Sequence, residues 1–305
     1  MVTVVEALDC TLQFLGLILR IVCVILRGCV LAFVPKSKKD LKGEVVLITG
    51  SAQGMGKQLA VDIARLGAKV VLWDINEEKL KEVAKEITES GGSAYYQVCD
   101  VSSEGDVTAK AEAVVQEVGE VTVLINNAGI MQNVPMLELS SARIRQTFEV
   151  NLLAHFWTIR AFLPSMQRHN RGHIVAIASA AGLVGHINQT DYSASKHGVV
   201  GMMEAFYEEL RQQGSAIKLT TICPITVGTG MNHNPTTRFP WMMPIVPLEE
   251  AARKMLSAIR REDLIVTIPQ RTSWLLAFSR IAPHQAMEEF IDFFGYCQVP
   301  NSKTD

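Results

Sequence analysis

Short runs rich in Val and Ile alternate with amphipathic segments from residue 41 to about residue 270 of this 305-residue chain. The strand-like runs cover residues 45–49, 69–73, 94–99, 121–126, 173–178, 218–223 and 264–268. The helix-like segments between them cover residues 54–67, 76–90, 104–118, 141–168, 191–213 and 248–261. Strands that alternate with helices pair in parallel, and a parallel sheet needs a helical layer on each face. The pattern therefore predicts one α/β domain over residues 41–270.

Composition and charge exclude several functional classes. Apolar residues make up 48% of the chain and charged residues 20%, so a large core is available and wholesale disorder is excluded. The net charge is −2, and without a basic field we expect no nucleic-acid partner. The six cysteines form no CxxC pair and no Cys/His cluster with zinc spacing. We therefore expect no metal site, and a reducing compartment rather than a disulfide framework.

The segment before this domain is strongly apolar. Residues 12–34 would make a helix about 34 Å long at 1.5 Å per residue, which is enough to cross a bilayer. Pro35 follows, and then come four lysines: Lys36, Lys38, Lys39 and Lys42. A basic flank at this end favours a cytosolic position for the main domain. Residues 1–40 are therefore predicted to be a hydrophobic membrane helix with a basic flank.

A polar stripe leaves the mode of anchoring open. Polar residues recur every seven positions along the segment: Glu6, Gln13, Arg20 and Arg27. This repeat places them near one face of a helix. It favours a helix lying in the membrane interface, or a hairpin-like insertion, with Arg20 and Arg27 reaching the head groups. A true span is the alternative, and a buried helix of a soluble domain is a third.

A glycine-rich turn joins the first predicted strand of the domain to its first predicted helix. It reads Thr49-Gly-Ser-Ala-Gln-Gly-Met-Gly56, with glycines four and two residues apart. Gly50 permits the sharp turn, Gly54 lets the backbone approach a pyrophosphate, and Gly56 lets the helix pack close to the sheet. The helix N-terminus would then face the phosphates. The turn predicts a dinucleotide site, although an ordinary glycine-rich turn has the same residues.

Asp74 ends the second predicted strand, 18 residues after Gly56. A carboxylate at this place accepts hydrogen bonds from the ribose hydroxyls and repels a 2′-phosphate, so NAD is favoured over NADP. A cap on the following helix is the alternative role of Asp74. Lys57 is a candidate partner for a 2′-phosphate, but it falls inside the helix after the glycines. Asp100 and the turn at 126–129 follow the next two strands, where ligands of open α/β sheets bind.

Tyr192 and Lys196 are four residues apart and therefore share one helix face. A lysine cation beside a phenol lowers its pKa from about 10 toward neutrality, which suits proton exchange with a substrate hydroxyl. Ser179 follows the fifth predicted strand and can hydrogen-bond a carbonyl or alcohol oxygen. Asn151 lies on a long apolar helix and needs a partner, for which we consider a water that relays protons from Lys196. The alternatives are a surface Tyr–Lys pair and a serine that only caps a turn.

Together these motifs resemble the short-chain dehydrogenase/reductase family over roughly residues 43–270. The glycine-rich turn, Asn-Asn-Ala-Gly at 126–129 and the four reactive residues stand in the order and spacing of that family. The resemblance implies a doubly wound Rossmann-type fold with a seven-stranded parallel sheet, hydride transfer at a nicotinamide, and a homodimer. It makes Tyr192 the acid/base, with Lys196 binding the ribose and tuning Tyr192. It gives Ser179 the task of orienting the substrate and makes Asn151 the fourth member of a tetrad.

The resemblance also implies a set of cofactor contacts, with NAD as the expected cofactor. These are Gly50, Ser51, Gln53, Gly54, Met55, Gly56, Asp74, Ile75, Asp100, Val101, Asn127, Ala128, Gly129, Tyr192, Lys196, Pro224, Val227 and Thr229. The family has Pro-Gly after the sixth strand, whereas this chain has Pro224-Ile225. This departure weakens the case for contacts from that loop.

Several short sequence stretches resemble one branch of the family in particular, the membrane and lipid-droplet branch. They lie at residues 71–76, 154–158, 161–166, 172–175 and 234–239. The branch holds 17-beta-hydroxysteroid dehydrogenases of types eleven and thirteen and epidermal retinal dehydrogenases. It implies an NAD-dependent dehydrogenase of a lipophilic alcohol, either a retinol or a hydroxysteroid. It also implies the endoplasmic reticulum membrane or the lipid droplet, with the catalytic domain facing the cytosol.

Substrate contacts are the least constrained part of this interpretation. The loop at 231–247 contains several apolar side chains, and we expect Trp241 and Met242 to line the pocket together with Ser179. A packed surface segment is the alternative for this loop. The tail, residues 271–305, is expected to cap that pocket, touch the membrane or pack on the main domain. An NADP-dependent carbonyl reductase is an alternative function, and Asp74 argues against it. A lipid-surface interaction protein that keeps an enzyme fold as a scaffold is another, and the intact reactive residues argue against that.

Overall fold

The computed structural model describes residues 4–31, 34, 36–229, 238–239, 244–273 and 282–294. The chain divides into two compact units, residues 1–38 and residues 39–305. In the described residues of the first unit there is one helix, α1 (Val4–Leu31), with exposed apolar side chains along its length. Within the described ranges, Leu8–Leu31 is the one stretch that is long and apolar enough, by length and composition alone, to cross a membrane.

Two polar residues of the α1 stripe bond to their own helix. The Gln13 side-chain amide donates to Asp9 at 2.8 Å, and Arg20 Nε donates to the Gly16 carbonyl at 3.3 Å. Each partner lies four residues away, which is the spacing of neighbours on one helix face. The predicted stripe therefore exists as a row of polar groups along an otherwise apolar helix.

The second unit is built on seven strands. They are β1 (Val45–Thr49), β2 (Lys69–Asp74), β3 (Ser93–Val98), β4 (Val123–Asn126), β5 (His173–Ile177), β6 (Lys218–Pro224) and β7 (Ile265–Ile268). They form one sheet in the order β3-β2-β1-β4-β5-β6-β7, and every neighbouring pair is parallel. The predicted seven-stranded parallel sheet is confirmed.

Most helices that the structure describes in the second unit follow the predicted segments closely, and the last lies in the tail, where no helix was predicted. They are α2 (Gly54–Ala64), α3 (Glu77–Glu89), α4 (Glu104–Glu117), α5 (Ser141–Phe148), α6 (Ala154–Arg168), α7 (Thr190–Gln212), α8 (Leu248–Arg261) and α9 (His284–Phe294). The segment predicted as one helix over 141–168 is interrupted. Between α5 and α6 the chain makes a π-helical stretch, Glu149–Leu153. Such wider turns are frequent at functional sites.

Helices cover both faces of the sheet because alternate strand side chains point to opposite faces. On one face, Val46 and Ile48 of β1 pack into a core shared with α2, α3 and α8. On the other face, Leu47 packs into a core shared with α4, α6 and α7. The Trp73 ring of β2 lies in this second core, 5.7 Å from the ring of Phe162 in α6. A strand buried on both sides must be apolar at every position, which explains the continuous Val/Ile runs.

The strand order reverses at β1, with β2 and β3 on one side of it and β4 to β7 on the other. In open α/β sheets this reversal leaves a crevice at the carboxyl ends of the strands, where ligands bind. The glycine-rich turn follows β1 and the turn at 126–129 ends β4, so both border the crevice. The fold thereby brings the predicted cofactor residues to one edge of the sheet.

Candidate active site

The glycine-rich turn is closed by contacts that leave no room for side chains. Gly50 has a φ of +64°, which favours glycine, and a Cβ there would lie 2.8 Å from the Ala128 Cα. A Cβ on Gly56 would overlap the Gly50 carbonyl and come within 2.5 Å of Asn127 Nδ2. Gly54 also has a positive φ, +57°, where α2 begins. Gly50 and Gly56 therefore have the turn and the close packing that the sequence predicted, and the approach of Gly54 to a pyrophosphate stays a prediction.

Thr49 and Asn127 join this turn to the end of β4. The Thr49 hydroxyl accepts hydrogen bonds from the backbone N–H groups of Asn127 and Ala128, both at 3.0 Å. The Asn127 side-chain amide donates to the Thr49 and Gly50 carbonyls at 2.9 and 3.0 Å. These bonds fix the two turns against each other. Asn127 and Ala128 therefore hold the glycine-rich turn in shape, and Thr49 does so too, although sequence reasoning assigned it no role.

Asp74 lies beside the same turn. One carboxylate oxygen accepts the Ala52 N–H at 3.0 Å and the other accepts the Asn76 N–H at 3.1 Å. The alternative role as a helix cap belongs to Asn76, whose side chain accepts the Lys79 N–H at 3.0 Å at the start of α3. Ser51 is held at this point by its N–H and hydroxyl, which donate to the Trp73 carbonyl. Asp74 is thus fixed next to the glycine-rich turn, where a ribose acid is expected.

Other predicted cofactor residues border this edge less directly. Asp100 accepts bonds from the Ser102 N–H and hydroxyl at 3.0 and 2.7 Å, and Val101 is buried in the core. Ile75 is 71% exposed, and Met55 packs partly on the core. Three predicted cofactor residues follow from the sixth strand onward. They are Pro224 at the end of β6, Val227 in a bridge to Val246, and Thr229, whose side chain faces Gly54.

The side chain of Lys57 forms an ion pair with the neighbouring helix α3. Its ammonium pairs with Glu86 of α3 at 2.8 Å. The sequence made Lys57 a candidate partner for a 2′-phosphate. In the structure its ammonium is paired with a carboxylate of α3 instead.

The Tyr192–Lys196 pair lies on α7, and Lys196 is buried. Its ammonium donates to the Ile177 carbonyl at the end of β5 at 2.8 Å and lies 5.8 Å from the centre of the Tyr192 ring. Burial lowers the pKa of Lys196 to about 8, with a smaller opposing effect from Cys223. Lys196 is still mostly protonated at pH 7, so a cation lies beside Tyr192. The alternative of a solvated surface lysine is wrong.

Asn151 lies in the π-helical stretch, fully buried, and its side chain binds protein groups on two sides. Its oxygen accepts the Ile130 N–H at 2.8 Å, and its amide donates to the Ile130 carbonyl at 2.9 Å and to the Ser195 hydroxyl at 3.1 Å. Both amide hydrogens therefore bind protein groups, and the relay water stays a prediction. A Cβ on Gly129 would lie 3.4 Å from Asn151 Oδ1 and 3.5 Å from Lys196 Nζ, so these three residues meet.

Ser179 follows β5 and caps a single 3₁₀ turn, Ala180–Gly182. Its hydroxyl oxygen accepts the Ala181 N–H at 3.1 Å, which leaves the hydroxyl hydrogen to be donated to a substrate oxygen. The cap predicted as an alternative is present and is compatible with the substrate role. Gly182 holds this turn against α7, because a Cβ there would lie 2.6 Å from the Lys196 carbonyl oxygen.

Sequence reasoning missed Gly182 and Ser195 as well as Thr49. The signal for Gly182 was a glycine three residues after Ser179, and for Ser195 a small polar residue inside the Tyr-xxx-Lys spacing. Neither reveals its partner without the fold. Trp241 and Met242, predicted to line the substrate pocket, lie outside the described residues.

A doubly wound sheet with a dinucleotide turn, and with a half-buried tyrosine beside a buried lysine at its carboxyl edge, defines a nicotinamide-dependent oxidoreductase of Rossmann type. A family model described as short chain dehydrogenase matches residues 44–238. Epidermal retinol dehydrogenase 2 of Homo sapiens is 37% identical over 283 residues, 92% of each chain. Estradiol 17-beta-dehydrogenase 11 of Homo sapiens is 39% identical over 268 residues, 88% of each chain.

Solved structures agree on the fold and differ in the cofactor. A short-chain dehydrogenase/reductase from Burkholderia phymatum in complex with NAD has a TM-score of 0.72 and 26% identity, covering 87% of this chain and 99% of its own. A metagenomic short-chain oxidoreductase in complex with NADP has a TM-score of 0.63 and 31% identity, covering 75% and 96%. The chain belongs to the short-chain dehydrogenase/reductase family and is a short-chain alcohol dehydrogenase.

Proposed function

We propose that this chain is a membrane-anchored, NAD-dependent dehydrogenase of a lipophilic alcohol, either a retinol or a hydroxysteroid. The observation that carries the proposal is that the buried side chains of Lys196 and Asn151 meet at Gly129, with Tyr192 beside Lys196. Burying the Lys196 charge costs free energy that its bond to the Ile177 carbonyl only partly offsets, and buried groups with shifted pKa values cluster at functional sites.

The residues at the sheet edge fit a dinucleotide. Two glycines with positive φ and a third with no space for a Cβ make a turn whose backbone can approach a pyrophosphate at the N-terminus of α2. Asp74 would hold the adenosine ribose and Lys196 the nicotinamide ribose, and Gly129 lies against Lys196 and Asn151. When bound, the nicotinamide supplies the hydride acceptor for alcohol oxidation.

NAD is preferred in this proposal because of the Asp74 carboxylate. Its two oxygens are fixed by the Ala52 and Asn76 N–H groups, so it cannot swing away from the ribose without losing both bonds. A 2′-phosphate would meet this fixed negative charge, whereas a 2′-hydroxyl would donate a hydrogen bond to it.

Proton transfer is assigned to Tyr192. Its phenolate, which the nearby Lys196 cation favours, takes the proton of the substrate hydroxyl during oxidation and becomes the phenol. Ser179 donates its hydroxyl hydrogen to the substrate oxygen and thereby orients it. Asn151 acts through its neighbours, because it ties the backbone at Ile130 to Ser195 on α7.

The substrate class rests on the two named relatives, one of which is a retinol dehydrogenase and the other an estradiol dehydrogenase. Both substrates are lipophilic alcohols, which dissolve in membranes. The apolar helix α1 would bring the enzyme to that source, at the endoplasmic reticulum or the lipid droplet, with the catalytic unit in the cytosol.

The test uses membranes that contain the full-length protein. Retinol and estradiol are supplied in parallel with NAD or NADP, and membranes without the protein are the control. We expect oxidation of one of the two alcohols with a higher kcat/KM for NAD than for NADP. Failure to oxidise either alcohol would contradict the substrate class, and a higher kcat/KM with NADP would contradict the cofactor.

A further inference from the structure

A buried hydrogen bond links the helix that carries Tyr192 to α5. The Thr147 hydroxyl donates to the Asp191 side chain at 2.7 Å, and both residues are buried. Further along the same two segments, the Asn151 amide donates to the Ser195 hydroxyl at 3.1 Å. Thr147 and Asn151 are four residues apart, and so are Asp191 and Ser195. The two bonds therefore follow one another between the same pair of helical segments.

Each of these bonds ends at the residue that precedes a reactive side chain. Tyr192 follows Asp191 in the chain, and Lys196 follows Ser195. The Ser195 hydroxyl also donates to the Tyr192 carbonyl at 2.7 Å. Ser195 thus ties the backbone between the two reactive residues to Asn151, which the site already contains. The bond of Asp191 holds the first turn of α7, just before Tyr192, against α5.

The burial of Asp191 calls for an explanation beyond its place in the helix. An acidic residue in a first turn interacts favourably with the helix N-terminus, and aspartates mostly lie exposed. Asp191 is 4% exposed, and among the described residues no group bonds to its Oδ1 atom. Apolar residues that replace buried acidic groups are often neutral or stabilising, because burying a carboxyl group is costly. The bond to Thr147 is therefore the feature that an apolar residue could not supply.

We propose that Asp191 is a positioning residue for Tyr192. The proposal rests on the proposed function, in which Tyr192 exchanges a proton with the substrate hydroxyl. The bond to Thr147 fixes the start of α7 against α5, so that the phenol keeps its place relative to the substrate oxygen. Asp191 does this by accepting the hydrogen bond, not through its charge. A misplacement of about 1 Å costs on the order of 10²-fold in rate, so a fraction of that shift already slows turnover.

The experiment compares Asp191→Leu with Asp191→Asn in the full-length protein, with whichever of retinol and estradiol the wild type oxidises. Leucine has a similar branched shape but no acceptor, and asparagine keeps an acceptor oxygen. Asp191→Leu should lower kcat by about tenfold or more, while its urea midpoint of unfolding stays the same or rises. Asp191→Asn should keep the wild-type kcat and its pH dependence. Glu209→Leu, at an exposed position on the same helix, is the control and should turn over normally.

The partner of Asp191 is tested in the same way. Thr147→Val should lower kcat as much as Asp191→Leu does, and Thr147→Ser, which keeps the hydroxyl, should restore it. The Thr147→Val, Asp191→Leu double variant should lose no more than either single variant, because each removes the same bond. Additive losses in the double variant would overturn the proposal, and so would a shifted pH dependence in Asp191→Asn, which would show that the residue acts through its charge.

Hydrogen exchange of the backbone amides at residues 190–196 detects the same contact without turnover. Exchange should be faster in Asp191→Leu and Thr147→Val than in wild type, and unchanged in Asp191→Asn. Unchanged exchange in the first two variants would overturn the contact's role in holding α7. Faster exchange with an unchanged kcat would make the contact merely structural and overturn the positioning of Tyr192. A wild type that oxidises neither alcohol would contradict the proposed function, whereas the exchange comparison would still decide the role of the contact.

Discussion

Replacing Gly182 with alanine should disable the enzyme by displacing the Ser179 turn from α7. A Cβ at this position would lie 2.6 Å from the Lys196 carbonyl oxygen and 2.8 Å from its carbonyl carbon, whereas ordinary contact begins at 3.4 Å. Both neighbours are backbone atoms, so the turn or the helix must yield by most of that difference. Ser179 lies on one side of this contact and Lys196 on the other. A misplacement approaching 1 Å between such groups costs on the order of 10²-fold in rate.

The assay compares kcat, the Kd for NADH and the free energy of unfolding for Gly182→Ala and wild type. We expect kcat to fall by about 10²-fold and stability to fall by about 1–3 kcal/mol from overpacking. The Kd for NADH should rise by a smaller factor than kcat falls, because the clash acts on Ser179 and Lys196, whereas Asp74 and the glycine-rich turn hold the rest of the cofactor. Gly185→Ala is the matched control in the same loop, since a Cβ there meets nothing within 4 Å. A folded Gly182→Ala protein that keeps a third or more of the wild-type kcat would refute the reasoning.

Three further predictions follow from the cofactor edge, the buried histidines and the anchor. Asp74→Ala combined with Ile75→Arg should raise the kcat/KM with NADP relative to that with NAD by about 10- to 100-fold, because a repulsive charge is removed and a phosphate partner is added. An unchanged ratio would mean that Asp74 has only a structural role. Burial lowers the pKa of both His155 and His173 to about 3, so below pH 6.5 the unfolded chain binds protons that the folded protein does not. Stability should therefore fall as the pH drops from 6.5 to 5, by roughly 3 kcal/mol in urea titrations, and a flat profile would contradict the burial argument. Residues 1–42 fused to a fluorescent protein should be recruited to the endoplasmic reticulum or to lipid droplets, and a diffuse cytosolic signal would contradict the anchor.

Strand positions were predictable because strands buried on both faces must be apolar throughout. The first predicted strand, 45–49, is β1 without change, and the fourth begins at Val123 rather than at residue 121. The interruption at Glu149–Leu153 was not predictable in the same way. Its residues have no unusual helix propensity, and the wider turn coincides with the bonds of Asn151 to Ile130 and Ser195, which are partners that only the fold supplies.

Some positions in the site follow from neighbouring residues in the sequence, and others depend on contacts between distant segments. Gly50, Asp74 and Tyr192 could be predicted because their roles depend on position at a strand end or on a helix face. The cap at Asn76 rather than Asp74, and the pairing of Lys57 with Glu86, depend on side-chain choices between near neighbours that spacing does not determine. The burial of Lys196 required knowing that β5 ends beside α7.

The most direct test of the account is turnover by Tyr192→Phe, which deletes the transferable proton and little else. The variant should retain less than about one hundredth of the wild-type kcat, since general acid/base catalysis is worth about 10²–10⁴-fold. Its Kd for NADH should stay within about twofold of wild type, because no backbone contact of the glycine-rich turn is altered. Tyr207→Phe, at an exposed position on the same helix, is the matched control and should turn over normally. Turnover by Tyr192→Phe above a hundredth of wild type, with the protein folded and NADH bound, would contradict the assignment of Tyr192 as the acid/base.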